Sequence, residues 1–483
     1  MAHPPSSLDP QNWQALRTLG HRMLDDAFTY LEQARDRPVW QKMPQSVRDE
    51  LRNPLSRGPQ SAEDAYADFL RLVLPYATGN THPRFMGWVH GGGTAVGMLA
   101  EMLAGALNAN LGGRDHAPIE VERQVIRWAA ELFGLPAESS GLLVTGTSTA
   151  NMIGVLVART AALGPESRRR GIRAARLTAY ASEAAHGCIP RAMEIAGLGS
   201  DALRRIPCDE AGRIDPAALE AAIARDRAAG TRPFLLVGTA GTVDIGAVDD
   251  LARLAEIALR ERLWFHVDGA FGAMLALSPR LKPLLAGIES ADSIGFDFHK
   301  WAQVPYDAGC VLVRDAVRHR AAFARSAAYL RHDSRGLAGG GPWPCDFGPD
   351  LSRGFRALKV WLTLKVFGAD RLGQVVEASC ELAHRLASRV AAEPALELLA
   401  PVALNIVCFR YVGGDPTFDF DALNVAIVAD LQEAGIAAPS TTNIGGKLAI
   451  RAALVNHRTA PEDVEMLVAE VLRIGAARTV AAA

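Results

Sequence analysis

Leu263-Trp-Phe-His-Val-Asp268-Gly-Ala270 and, further on, Ser293-Ile-Gly-Phe-Asp-Phe-His299-Lys300-Trp301 share one pattern: a short apolar run that ends in polar residues. Apolar runs of this length, bounded by glycine and charge, predict strands buried on both faces. Similar runs lie at 142–144, 177–180, 234–237 and 310–313, with longer helical patterns between them. That alternation predicts an α/β fold with a mostly parallel sheet covered by helices. Open sheets of this type bind ligands at the carboxyl ends of their strands, where the aspartate and the lysine of the two quoted stretches fall.

Working outward, helical patterns at 13–36 and 62–73 flank a Pro/Arg-rich stretch at 37–59. A segment that cannot close its own core is expected to pack on a partner. Helical runs at 95–108 and 118–133 lead to the 142–144 strand, and a further helix starts near Thr149. A long helical region spans 355–391, with Gly368 as a possible break, before a C-terminal α+β segment with strands near 405–409 and 448–451. The expected division is an N-terminal helical segment 1–82, a large domain 83–370 and a small C-terminal domain 371–483.

The composition narrows the function. A chain of 483 residues, 49% of them hydrophobic, buries a large core and exceeds one minimal domain. Its net charge of −2 and the lack of any Lys/Arg block argue against nucleic acid and membrane partners. The polar N-terminus and the lack of a long apolar segment make a cytoplasmic protein the expectation. Cys188, Cys208, Cys310, Cys345, Cys380 and Cys408 are scattered without metal-ligand spacing, so they read as reduced thiols and no metal site is expected.

Four groups carry chemistry, each next to a predicted strand end. Lys300 is placed to offer an amine to a ligand; alone, it is more often a surface lysine. An amine on a rigid element is what pyridoxal 5'-phosphate (PLP) needs for its Schiff base. Asp268 is placed to pair with a pyridine nitrogen and keep it protonated, or to cap the following turn. Thr145-Gly-Thr147-Ser148-Thr149 precedes a helix whose N-terminus suits a phosphate, with Ser148 or Thr149 as a plain N-cap the alternative. His186, after the 177–180 strand, is placed to stack on a cofactor ring.

With these groups in this order, the chain resembles the PLP-dependent group II amino-acid decarboxylases, which include aromatic-L-amino-acid, glutamate and tyrosine decarboxylases. The resemblance runs through His82-Pro83-Arg84-Phe85, Pro118-Ile-Glu-Val-Glu122, residues 146–149, His186, Thr239-Ala-Gly-Thr242, His266 to Ala270, His299-Lys300-Trp301, Phe355-Arg-Ala-Leu-Lys-Val-Trp361 and Leu448-Ala-Ile-Arg451. It implies a type I PLP-dependent transferase fold, like that of aspartate aminotransferase, and a homodimer with its active sites at the interface. Position by position, it implies that Lys300 is the Schiff-base lysine, His186 the ring-stacking histidine, Asp268 the pyridine partner and Ala270 a residue beneath the ring. Ser148 and Thr149 then belong to the phosphate loop, His299 flanks the cofactor, and Thr242 lies near the ring. The reaction implied is decarboxylation of an L-amino acid to its amine.

Three stretches depart from the family pattern. Relatives carry a proton-donating tyrosine in the loop before the 355–361 helix, but here Gly339-Gly-Gly-Pro-Trp343-Pro-Cys345-Asp-Phe347 has none, and Tyr329 matches an earlier, structural position. Losing that donor keeps aldehyde synthesis or carbon-carbon cleavage on the same fold in play, with Trp343 one conceivable substitute. A PLP-fold protein that only binds is the third alternative, which the retention of Lys300, Asp268 and His186 argues against. The pocket strip Phe85-Met-Gly-Trp88-Val-His90-Gly-Gly-Gly93 and the polar strip Asn110-Leu-Gly-Gly-Arg114-Asp115-His116 would leave polar groups unpaired around an aromatic side chain. A substrate with a polar or acidic side chain is therefore expected, with Trp88, His90 and Arg451 as its contacts, although Arg114 and Asp115 also suit mutual pairing and Arg451 an ordinary ion pair.

Overall fold

The computed structural model describes residues 7–172, 175–324, 333–414 and 418–482. The apolar runs become strands: β1 Phe85–Met86, β2 Ser140–Val144, β3 Leu177–Ser182, β4 Leu203–Ile206, β5 Arg232–Thr239, β6 Trp264–Asp268, β7 Ser293–Asp297, β8 Gly309–Val313, β9 Leu396–Leu398, β10 Ile406–Tyr411, β11 Ala438–Ile444 and β12 Lys447–Ala453.

Seven strands form one sheet in the order β2-β8-β7-β6-β5-β3-β4. Neighbours pair in parallel from β7 to β4, while β8 runs against both β7 and β2. Strand alternation explains why both faces are apolar. Leu142 and Val144 pack with the helices Thr147–Leu163 and Cys188–Ile195 on one face. Leu143, Phe265 and Phe296 pack with Ala117–Leu132, Leu251–Glu261 and Arg356–Ala391 on the other. Each such side chain, fully buried, contributes about 1.5–3 kcal/mol relative to exposure.

The type I PLP fold expected from the sequence is the fold found, including a smaller sheet near the C-terminus. That sheet has the order β1-β11-β12-β10-β9. Only β1 joins it in parallel; the other pairings are antiparallel. Residues 85–86 thus hydrogen-bond into the smaller sheet, which brings the 85–90 strip beside β11. The long helix Arg356–Ala391 serves both sheets and bends at Gly368, whose φ of 73° glycine adopts without strain. Inside the large unit, Arg353 and Glu122 form a buried ion pair at 2.5 Å, and Arg353 also donates to the Leu111 and Leu143 carbonyls. This pair ties the helix Ala117–Leu132 to β2 and to the start of the long helix.

Two details differ from the sequence expectation. The strand before the lysine ends at Asp297, so Lys300 lies in the turn that carries the chain into antiparallel β8. The helix expected from Thr149 starts at Thr147 with Gly146 at its N-cap position and no side-chain cap, and the Thr149 hydroxyl pairs with that of Thr145 at 3.0 Å instead.

Candidate active site

At the carboxyl edge of the large sheet, a cavity of about 440 Å³ is walled by the ends of β2, β5, β6 and β7 and by part of the smaller sheet. Lys300 projects into it, with its Nζ 3.0 Å from Asp297 Oδ2. Asp297 Oδ1 accepts the Thr147 backbone N–H at 2.7 Å, which fixes the carboxylate. His299 accepts the Ala308 N–H on Nδ1, so its neutral ring carries a proton on Nε2, 3.6 Å from Asp297 Oδ2. Burial holds His299 below the ordinary histidine range, opposed by the Asp297 charge. Its ring lies 4.2 Å from that of Tyr306, whose phenol burial pushes upward.

Asp268 closes the opposite wall. Its side chain is 2% exposed, with Oδ1 accepting the Ala270 N–H at 3.2 Å and Oδ2 facing the Cys188 thiol at 3.9 Å. Desolvation pushes this carboxyl up, while the Lys300 and His186 charges oppose the shift. A chain of hydrogen bonds backs it: Trp264 Nε1 donates to Ser293 Oγ, Ser293 pairs with His266 Nδ1, His266 Nε2 pairs with Asn151 Oδ1, and Asn151 Nδ2 donates to Cys188 Sγ. Burial lowers His266 to about 4, so it stays neutral within this chain. His186 also faces the cavity and accepts the Cys188 N–H on Nδ1.

Gly146, Thr147 and Ser148 line the cavity at the start of the helix Thr147–Leu163. The backbone there is held tightly, since a Cβ on Gly309 would stand 2.4 Å from Gly146 Cα. Ala270, His299 and Ser148 reach the cavity lining, whereas Thr149 and Thr242 do not. The Thr242 hydroxyl accepts the Ala247 N–H within its own turn at 2.9 Å, and the next residues, Val243 and Asp244, face the cavity instead.

The remaining wall holds Trp88, His90 and Tyr306 with Ser440 and Thr441 from β11. The rings of Trp88 and His90 stack at 5.8 Å, and His90 meets Tyr306 edge-on. Arg451 lines the cavity beside them and is not a surface residue: at 3% exposure it donates to the carbonyls of Val243, Asp244 and Trp88 and to the Ser440 hydroxyl. Arg114 does not pair with Asp115; its guanidinium stacks on Trp343, which is itself buried with its indole N–H on the Gly339 carbonyl. The Trp343 indole N–H is thus taken up by that carbonyl, and Trp343 is not among the residues lining this cavity. Phe347 packs against His319, and Tyr329 lies outside the described residues.

Sequence reading missed Asp297, Tyr306, Cys188 and Asn151. Asp297 had a usable signal, since it stands two residues before His299 on a strand that otherwise buries apolar side chains. The others carry no motif and appear only once the sheet brings them together.

A buried carboxylate facing a cavity, with no ion-pair partner within 4 Å among the described residues, fits a protonated ring nitrogen. The helix N-terminus fits a phosphate, and Lys300 fits an aldehyde, so the residues suit PLP. A larger cavity of about 780 Å³ opens at the opposite edge of the sheet, around Arg232, Arg262 and Arg314, and offers no comparable amine and buried acid. Among the described residues there is no cluster of side chains suited to a metal ion, and no helix is long and apolar enough to cross a membrane.

Comparison with known proteins agrees with this geometry. The family model described as the pyridoxal-dependent decarboxylase conserved domain matches residues 44–412. An aromatic-L-amino-acid decarboxylase of Bacillus atrophaeus is 32% identical over 471 residues, covering 95% of each chain. An L-2,4-diaminobutyrate decarboxylase of Rhizobium meliloti (strain 1021) is 32% identical over 417 residues, covering 86% of this chain and 82% of that one. The crystal structure of Oryza sativa TDC with PLP and tryptamine superposes with a TM-score of 0.90 at 25% identity, covering 98% of this chain and 100% of that one. The chain belongs to the pyridoxal-dependent decarboxylase family, and it is a carboxy-lyase that uses PLP to decarboxylate an amino acid.

Proposed function

We propose that Lys300 is the amine that holds PLP and that Asp268 is the partner of its ring nitrogen, in the decarboxylation of an L-amino acid to the amine and carbon dioxide. The observation that carries this reading is the pairing, across one cavity, of Lys300 with a buried acid that lacks a cation. When bound, PLP supplies an electron sink for the pair left behind as carbon dioxide departs. The chain supplies position: the first turn of the helix Thr147–Leu163, with Ser148 at the cavity, would receive the phosphate, and Ala270 and His186, which both line the cavity, would hold the ring. Asp268, oriented by the Ala270 N–H and backed by Cys188 and Asn151, holds a proton at the ring nitrogen. His299 carries its own proton at Nε2 beside Lys300. Thr149 and Thr242 then act from behind the lining, each through its own turn.

For the substrate side chain, the Trp88 and His90 rings with the hydroxyls of Ser440 and Thr441 suit a polar group. The acidic option loses its support, because Arg451 is already directed at backbone carbonyls and serves better to hold Trp88 and Val243 in place. Aldehyde synthesis remains the second reading, since 339–347 offers no phenol and Trp343 is buried.

Three further features belong to this proposal. The parts are an N-terminal helical segment 1–82, a large domain 83–370 and a small domain 371–483. The chain forms a homodimer with the site near its interface, supported by Trp13, Met23 and Phe69 on the N-terminal helices and by Met102 and Leu107, all large apolar side chains left exposed. A cytoplasmic location suits its six free cysteines. The test is spectroscopic and chemical. Purified protein with PLP should show an absorbance band that Lys300→Ala removes, and a panel of L-amino acids should release carbon dioxide. Ammonia and peroxide alongside it would favour aldehyde synthesis; no band would overturn the assignment of Lys300.

A further inference from the structure

Asp297 is the last residue of β7 and is 2% exposed. Its Oδ1 is held by the Thr147 N–H, so Oδ2 has a fixed direction, and two donors stand there: Lys300 Nζ at 3.0 Å and His299 Nε2 at 3.6 Å. The surrounding backbone gives little freedom, since Gly309 packs on Gly146 and Phe298 donates to the Ala308 carbonyl at 2.8 Å. A carboxylate this buried is costly without a donor. Once its nitrogen is bonded to an aldehyde carbon in the cavity, Lys300 keeps at most one N–H and no longer offers Asp297 a free ammonium.

We propose that Asp297 is the positioning residue of Lys300: it holds the lysine ammonium in the cofactor-free chain and passes to the His299 N–H when Lys300 takes up the cofactor. The proposal rests on Lys300 being the cofactor lysine. His299 is prepared for the exchange, because the Ala308 N–H occupies Nδ1 and leaves the ring proton on Nε2, facing Asp297. The exchange balances. Lys300 gives up one proton, its freed lone pair forms the bond to the aldehyde carbon, the carbonyl oxygen leaves as water, and a proton returns to the new C=N nitrogen. A second consequence follows from position: the Asp297 charge sits on the first N–H of the helix that would receive a phosphate, so it opposes any anion there until a cation compensates it.

The test uses the full chain stripped of cofactor, with Asp297→Asn, which keeps an acceptor for Thr147, Asp297→Glu, which keeps the charge, and Asp297→Ser as a smaller acceptor should the asparagine variant fail to fold. Two quantities are read: the affinity for inorganic phosphate, and the rate at which pyridoxal, an aldehyde without phosphate, is captured at neutral pH, fixed by borohydride and located on Lys300 by mass. Asp297→Asn should bind phosphate about tenfold more tightly and capture pyridoxal several-fold faster, while Asp297→Glu stays within about twofold of the native chain. Mere structural damage would weaken both. A folded Asp297→Asn or Asp297→Ser with unchanged or reduced phosphate affinity and capture rate overturns the proposal alone. Failure of the native chain to capture either pyridoxal or PLP on Lys300 overturns the lysine assignment, and this proposal with it.

Discussion

The two walls of the cavity differ in how firmly they are built. On the cofactor wall, Asp268 and Asp297 are each 2% exposed, His266 is fully buried, and each has identified hydrogen-bond partners. On the substrate wall, Trp88 is 55% exposed and Tyr306 46%; the Trp88 ring meets Phe85 and His90, and the Tyr306 ring meets His90 and His299. A wall that must hold one cofactor in one pose gains from rigidity fixed before binding. The substrate wall has large aromatic faces still open, as expected of a surface completed by substrate or by a partner subunit.

The largest effects should come from the cofactor wall. Lys300→Ala should reduce carbon dioxide release at saturating PLP by at least about a thousandfold in a chain that still folds. On the proposed role of Asp268, Asp268→Ala should lower kcat by about 10²–10³-fold, because a proton at the ring nitrogen would lose its partner. If Asp268→Ala instead changes only KM, the division between the walls is misplaced.

Sequence made the first of these residues legible and hid the second kind of support. Lys300 and Asp268 end apolar runs, and the period of those runs gave six of the seven strands of the large sheet. β4, Leu203-Arg-Arg-Ile206, escaped because an edge strand bearing two arginines lacks the buried-run pattern. β11, Ala438-Pro-Ser-Thr-Thr-Asn-Ile444, is too polar to read as a strand, yet it brings Ser440 and Thr441 to the cavity. Thr242 shows the converse. The resemblance places it near the ring, and its hydroxyl accepts the Ala247 N–H in its own turn, a bond set by backbone geometry that a motif does not encode. The Trp264–Ser293–His266–Asn151–Cys188 chain joins residues far apart in sequence, so it emerges only from the strand order, whereas Asp297 was legible from its place two residues before His299.

Two intermediate substitutions separate the walls. A Cβ at position 309 would stand 2.4 Å from Gly146 Cα, so Gly309→Ala must push aside the turn proposed to receive the phosphate. PLP affinity, measured by titration of the absorbance band, should fall by about tenfold or more. Arg451→Gln removes donors from the Trp88 and Val243 carbonyls and should cost about 1–3 kcal/mol of stability. Substrate KM should rise while PLP affinity stays within about twofold, which would place Arg451 with the substrate wall. A PLP affinity that falls as steeply as for Gly309→Ala would instead show that the two walls move as one.

The smallest effect concerns the reserve behind the cofactor wall. His266 holds a proton in the folded chain only near about pH 4, whereas an unfolded chain takes one near pH ~6.5. Between those values the unfolded chain binds more protons, so this residue makes stability fall as pH falls, and its contribution is fully present only above the unfolded value. In His266→Gln that proton is absent. Melting temperatures of the native and variant chains should therefore differ most above about pH 7 and converge toward pH 4, where the native chain loses the benefit of a neutral imidazole. A gap that stays constant across this range would mean that His266 takes up its proton as readily in the fold as in the unfolded chain, and so is charged below about pH 6.5. The hydrogen-bond chain behind Asp268 would then run differently: a charged ring donates from both nitrogens, so the Ser293 hydroxyl would have to accept from it as well as from Trp264.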